Sequence, residues 1–381
     1  MSNVVLNVDE EMKKYITEEN RELLSEIARE FKEGIFTNVL SKTSRLRSQF
    51  QPEAGLNHLL DIIKVTSHAQ LGEMDQAAEI INELFEKKKD NPEAVDELLL
   101  YGQLSFMCDY KLARKIMSHT RNIMEDQGET ESTRLARCYA VLGEAEENLQ
   151  KYPRAVKYYQ RGLEIIERNE AQEKEIILFL YYKLGGLYST MNETEKAIEF
   201  LEKTLQLAEG YNEEIKINSL VSLAMMHGSL EEYDQAKVYL DEVFPLFENS
   251  SLKNKVVHAE AHTEMAYYYF NQSLFDEAVS HYEKTNAIYK QLPTYSARKL
   301  GMIYMQYAYS LEHQEILEKS KAGKVYEKAI EQLEKTQDRE LIESALADVI
   351  NFFHSNNQQK KKRYYENKFV ELTNADLSVQ P

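Results

Sequence analysis

Residues 142–159 read LGEAEENLQKYPRAVKYY. Leu142-Gly143 falls in one predicted helix, Tyr152 ends a turn, Pro153 opens a second helix, and Ala155 and Tyr159 share one face of it. Proline is tolerated at the start of a helix, where the N–H it lacks would have no partner anyway. The alanine recurs: Ala77, Ala113, Ala155, Ala197, Ala236, Ala278 and Ala322 lie 36, 42, 42, 39, 42 and 44 residues apart. Each is followed four residues on by an aromatic or aliphatic side chain. Such a period in a helical sequence means stacked helical hairpins, each burying its apolar face on its neighbours. The expected fold is all-α, a right-handed superhelical solenoid of about nine antiparallel hairpins.

The frame is clearest over 134–285. Leu184-Gly185, Tyr188, Ala197 and Leu201 repeat it, then Leu223-Ala224, Tyr233, Ala236 and Leu240, then Met265-Ala266, Tyr269, Phe275, Ala278 and Tyr282. Gly143, Gly185, Ala224, Ala266 and the recurrent alanines must be small because two helices cross there at close approach. Weaker units flank these at 54–90, at 93–126 and at 295–335, the last with about two extra turn residues. Residues 20–50 read as two helices around Gly34, and 339–372 as a hairpin with Lys362 at the small position. Pro52, Pro92 and Pro293 fall between units as helix stops, and Pro245 falls near the end of a second helix. The organisation is N-terminal helices over 1–52 (a degenerate first hairpin or effector-contact region), a solenoid over 53–336, a capping hairpin over 337–373 and a frayed tail over 374–381.

Composition agrees. At 381 residues the chain exceeds one ordinary globular core, whereas a solenoid needs only neighbour contacts. Glycine (13) and proline (6) are scarce, so long irregular regions are not expected. The formal net charge of −18 disfavours nucleic acid as a partner. Residues 1–52 are nearly neutral, with 8 basic against 9 acidic residues, so the start is electrostatically distinct. Cys108 and Cys138 fit free thiols in a reducing compartment. The N-terminus lacks the basic and apolar segments of a signal peptide, and no apolar run is long enough to span a membrane. A cytoplasmic protein is expected.

The L-G…Y…A-x-x-x-Y frame resembles the tetratricopeptide repeat. Its units of about 40 residues resemble those of the Rap, NprR and PlcR receptors of Gram-positive bacteria, as do the paired aromatics of Phe352-Phe353 and Tyr364-Tyr365. That resemblance implies a cytoplasmic receptor whose concave groove takes a short signalling peptide, with a protein partner such as a response regulator. The match is partial. Too few residues precede the first clear repeat for a helix-turn-helix domain, and the Gln-Asp-Leu segment of the Rap N-terminal bundle is missing, so no regulator-binding residue is carried over.

Enzyme chemistry is not legible: there is no glycine-rich phosphate loop, G-x-S-x-G or Cys/His nucleophile pair, and no cofactor is expected. His258 and His262 have a zinc-compatible spacing, but Glu260 is misplaced for a metalloprotease helix and no third ligand is evident. They read as surface histidines near a groove, and no metal is expected. Lys360 to Arg363 reads as a solvated helix face. The stronger argument is geometric. In stacked hairpins the first helices line the concave face, and their inward positions are Arg137, Asn148, Tyr182, Lys183, Asn218, Ser222, Glu260, Glu264, Tyr267, Asn271, Gln306 and His313. Amides and arginine can pair with an extended peptide, tyrosines supply apolar contact, and the acids favour a ligand bearing Lys or Arg. The expected function is a regulator that binds a short peptide, or an extended protein segment, and so controls a protein partner, with a homodimer permitted. The competing expectation is a constitutive scaffold.

Overall fold

The computed structural model describes residues 8–168, 173–292 and 295–374. Nineteen α-helices and no strand occur among the described residues. The chain divides into two compact units, Met1–Glu193 and Thr194–Pro381.

The first unit holds α1 (Val8–Lys13), α2 (Arg21–Glu33), α3 (Phe36–Phe50), α4 (Ala54–Gln70), α5 (Met74–Lys88), α6 (Val95–Ser105), α7 (Tyr110–Asp126), α8 (Thr133–Asn148), α9 (Tyr152–Arg168) and α10 (Lys174–Thr190). The second holds α11 (Thr194–Ala208), α12 (Glu213–Ser229), α13 (Tyr233–Leu246), α14 (Val256–Asn271), α15 (Phe275–Tyr289), α16 (Ala297–His313), α17 (Lys319–Leu333), α18 (Arg339–Ser355) and α19 (Gln359–Asn374). Within each unit, consecutive helices pack as hairpins and each hairpin packs on the next. Pro52 and Pro92 lie between helices, while Pro293 lies outside the described residues. Pro245 sits inside the last turn of α13, which gives way to a short 3-10 turn at Phe247–Asn249.

All seven recurrent alanines are buried, none more than 3% exposed. The side chains four residues on, among them Met117, Tyr159, Leu240 and Tyr282, are equally buried. The crossing is tight. A Cβ built on Gly143 would lie 2.5 Å from the Tyr159 ring, and one on Gly102 would lie 2.7 Å from the Met117 methyl. The helix pair thus closes only where the first helix carries a small residue beneath the large one of the second.

The turns use a repeated cap. At α4–α5, Gly72 (φ +80°) donates to the Ala69 carbonyl and Glu73 N–H to that of His68. At α12–α13, Glu231 (φ +62°) donates to Gly228 and Glu232 to His227 in the same pattern, which satisfies carbonyls left open at a helix end. Between α16 and α17 the turn is longer, residues 314–318, in line with the expected insertion.

The crossing makes a direct prediction. Ala236→Leu should destabilise the protein by ~1–3 kcal/mol through overpacking, as should Gly143→Ala through collision with Tyr159. Denaturant unfolding checks both; a change within error in either would refute the close crossing at that position.

Candidate functional site

In the second unit α12, α14 and α16 adjoin, and their first-helix positions come together. Glu260, Glu264, Tyr267 and Asn271 fall on α14 at helical spacing, one stripe along the helix. Glu264 presses on α12: a Cβ at Gly228 would stand 2.9 Å from its Oε2. The residue is half-buried. No hydrogen bond or ion pair reaches it among the described residues. Burial, reinforced by the neighbouring Glu260 charge, pushes its pKa up to about 8 against the pull of Lys299. Burial likewise raises Glu260, opposed by Lys299 and the Tyr295 hydroxyl. It raises Tyr267 too, with the Glu264 charge adding to the effect. At neutral pH Glu264 is therefore mostly protonated, able both to donate and to accept.

The amides are held by their own helices. Asn218 Nδ2 donates to the Glu214 carbonyl and Asn271 Nδ2 to that of Tyr267, both at 2.8 Å. Gln306 Oε1 accepts from the Tyr282 hydroxyl at 3.1 Å. His313 Nδ1 donates to the Tyr309 carbonyl at 2.8 Å, and its ring stacks on Tyr309 at 3.9 Å. Ser222 is half-buried on α12.

In the first unit Arg137, Asn148 and Lys183 are satisfied by neighbouring carboxylates and a backbone carbonyl. Lys183 on α10 pairs with Glu147 at 3.1 Å and Glu144 at 3.8 Å on α8, and the Tyr159 hydroxyl donates to the same Glu147 at 2.7 Å. Arg137 pairs with Glu173 at 2.6 Å. Asn148 donates to the Glu144 carbonyl, and Tyr182 is half-buried.

The sequence reading missed Tyr295 and Lys299, which act on the α14 acids from the next hairpin, and Gly228, which makes room for Glu264. Only the small residue at Gly228 was a signal. The histidine reading needs correction. His262 is only 7% exposed and His258 is half-buried. His262 Nδ1 lies 3.0 Å from His281 Nδ1, and the rings nest against Phe244 and Phe247. Burial lowers His262 to about 3 and His281 to about 4, so both are neutral. No group of three or more His, Cys, Asp or Glu poised to hold a metal occurs among the described residues.

With this geometry in hand, comparison with known proteins is informative. Residues 142–210 match the tetratricopeptide repeat model. The crystal structure of apo RapI matches with a TM-score of 0.60 at 14% identity, covering 94% of this chain and 98% of that one. Aspartyl phosphate phosphatase F from Bacillus subtilis matches with a TM-score of 0.49 at 13% identity, covering 92% and 93%. Kinesin light chain-related 2 of Arabidopsis thaliana is 19% identical over 258 residues, 63% of this chain but 39% of that protein. The related protein 3 is 20% identical over 191 residues, 47% of this chain and 29% of that protein. The chain thus spans well under half the length of these curated relatives. The class is that of all-α proteins built from repeated helical hairpins. Within it, residues 142–210 are similar to tetratricopeptide repeats, and the fold resembles that of RapI.

The buried titratable groups oppose one another with pH. Glu264 has a folded pKa above its ordinary 4.5, so its contribution is fully favourable below pH 4.5 and is lost as pH rises toward 8. His262 and His281 have folded pKa values below 6.5, so their contribution is present above pH 6.5 and is lost as pH falls toward 4 and 3. Glu264→Gln removes the first effect alone. It should stabilise the protein by ~1–3 kcal/mol more at pH 8 than at pH 5. Unfolding at the two pH values checks this, and an equal effect at both would rule out a protonated Glu264.

Proposed function

We propose that this protein is a peptide-responsive regulator. A short peptide, or an extended segment of another protein, binds the first-helix face and thereby controls contact with a protein partner. The observation that carries this reading is Glu264, a carboxyl recessed against Gly228 without a hydrogen-bond partner and flanked one turn either side by Glu260 and Tyr267. Its half-buried carboxyl is free to take a ligand's polar group in place of solvent. Asn218 and Asn271, each anchored through Nδ2, have Oδ1 left to accept from a peptide N–H. Glu260 favours a ligand bearing Lys or Arg, and the protonated Glu264 can exchange hydrogen bonds with the ligand's backbone.

The same reading takes a response regulator as the protein partner, a cytoplasmic setting and a homodimer as permitted assembly. No helix among the described residues is long and apolar enough to cross a membrane. Enzymatic activity has no part in it.

Thermal shift against a pool of short synthetic peptides, each carrying one Lys or Arg, tests the proposal. A ligand that binds only the folded state raises the melting temperature by mass action. The expected result is a saturable rise that the Asn218→Ala/Asn271→Ala double variant reduces at least tenfold in affinity. Unchanged affinity in that variant would remove the face assignment. No response to any short peptide, with retained binding to one large partner's tail, would favour a constitutive scaffold instead.

A further inference from the structure

We infer that the protein pairs with a second copy of itself through its last two hairpins, the α16–α17 turn of each chain docking on the free face of α19 of the other. Both surfaces lie in the second unit.

The turn differs from those on either side of it. The α14–α15 and α18–α19 turns span residues 272–274 and 356–358, and each closes with one left-handed residue, Ser273 (φ +58°) and Asn357 (φ +57°). The α16–α17 turn is longer, residues 314–318, and is firmly held. Gln314 is buried, the Glu315 N–H donates to Asp276 Oδ2 at 3.1 Å, and the Glu318 N–H donates to the Leu311 carbonyl at 3.3 Å. Between these anchors Ile316 stands 79% exposed and Leu317 54% exposed. No other large apolar side chain among the described residues is as exposed as Ile316. Adjacent apolar side chains fixed in water mark a surface that another surface covers.

The α19 face has the chemistry to cover it. One side of α19 is tied to α17 by Lys361–Glu327 at 2.7 Å and Lys368–Glu334 at 2.5 Å, so the two helices run parallel. The opposite side carries Arg363, Asn367 and Val370, with Tyr364 at its border. Tyr364 is 55% exposed and Val370 52%. Lys360 and Arg363 form no ion pair among the described residues, and neither do Glu277 and Glu315 at the turn. One surface is thus apolar with an acidic border, the other apolar with a basic border. Two copies of a chain of net charge −18 repel in general, and a basic helix face against an acidic edge reverses that locally. Because α17 and α19 run parallel from their turns, the two surfaces sit near one edge of adjoining hairpins. A two-fold axis between them sets turn against α19 twice, the closed isologous arrangement of most homodimers. The interface uses none of Asn218, Glu260, Glu264 or Asn271, so it is independent of the peptide face.

Sedimentation of the full chain at loading concentrations from about 1 to 100 μM reads the association. A monomer–dimer equilibrium is expected, and Ile316→Ser/Leu317→Ser should weaken it about tenfold or more. Charge reversal tests the pairing itself. Glu277→Lys/Glu315→Lys makes both surfaces basic, and Lys360→Glu/Arg363→Glu makes both acidic, so either variant alone should dimerise about tenfold more weakly than the parent. Mixed in equal amounts, the two should regain association as heterodimers, because each turn then meets an α19 of opposite sign. All these positions are exposed, and circular dichroism verifies the fold of each variant. Asn218→Ala/Asn271→Ala should dimerise as the parent does, so loss of the peptide proposal leaves this one standing. A monomer at every concentration, a dimer indifferent to the reversals, or a mixture no more associated than its parts would overturn the proposal.

Discussion

Everything in this protein depends on the crossing of two helices at a small residue. Gly143 admits the ring of Tyr159, and Gly102 admits Met117; neither pair could close over a larger side chain. The crossing also reaches outward. Where the large residue is tyrosine, its ring fills the crossing and its hydroxyl emerges on the first-helix side. Tyr159 donates to Glu147 and Tyr282 to Gln306, both polar groups of the candidate face or its border. A residue conscripted by packing thus also fixes the orientation of a recognition group. Core and site share an energetic fate, and a change to the packing residue reaches the site without touching it.

The two units use their first-helix faces differently. In the first, cation meets anion: Lys183 is held between Glu144 and Glu147, and Arg137 is tied to Glu173. In the second, the α14 acids have no cation of their own within ion-pair distance. Glu264 is kept neutral by its surroundings, Glu260 is raised beside it, and Lys299 only moderates both. A face that satisfies itself gains little from a ligand. A face with unpaired recessed groups gains the partner it lacks. That asymmetry directs the functional reading to α12, α14 and α16.

Much of the fold was legible because it is local. The alanine spacing, the Leu-Gly dipeptides and the proline stops each lie within one hairpin, and the burial of all seven alanines follows from that frame. The site was legible only within single helices. The α14 stripe could be read from its spacing, but Tyr295 and Lys299 reach the α14 acids from the next hairpin, and periodicity within one helix says nothing about which neighbour faces it. The histidines failed for the same reason. His258 and His262 look like surface residues on α14 alone. The Phe244 and Phe247 rings on either side of Pro245, and His281 from α15, turn that face into an interior.

Hydrogen–deuterium exchange of the full chain, with and without a saturating pool of short Lys- or Arg-bearing peptides, tests the central claim most directly. Binding at the first-helix face stabilises that region against local opening. The account predicts added protection concentrated in α12, α14 and α16, with the second helices of the same hairpins much less affected. Protection confined to the second helices, or no change anywhere at saturating peptide, would contradict it.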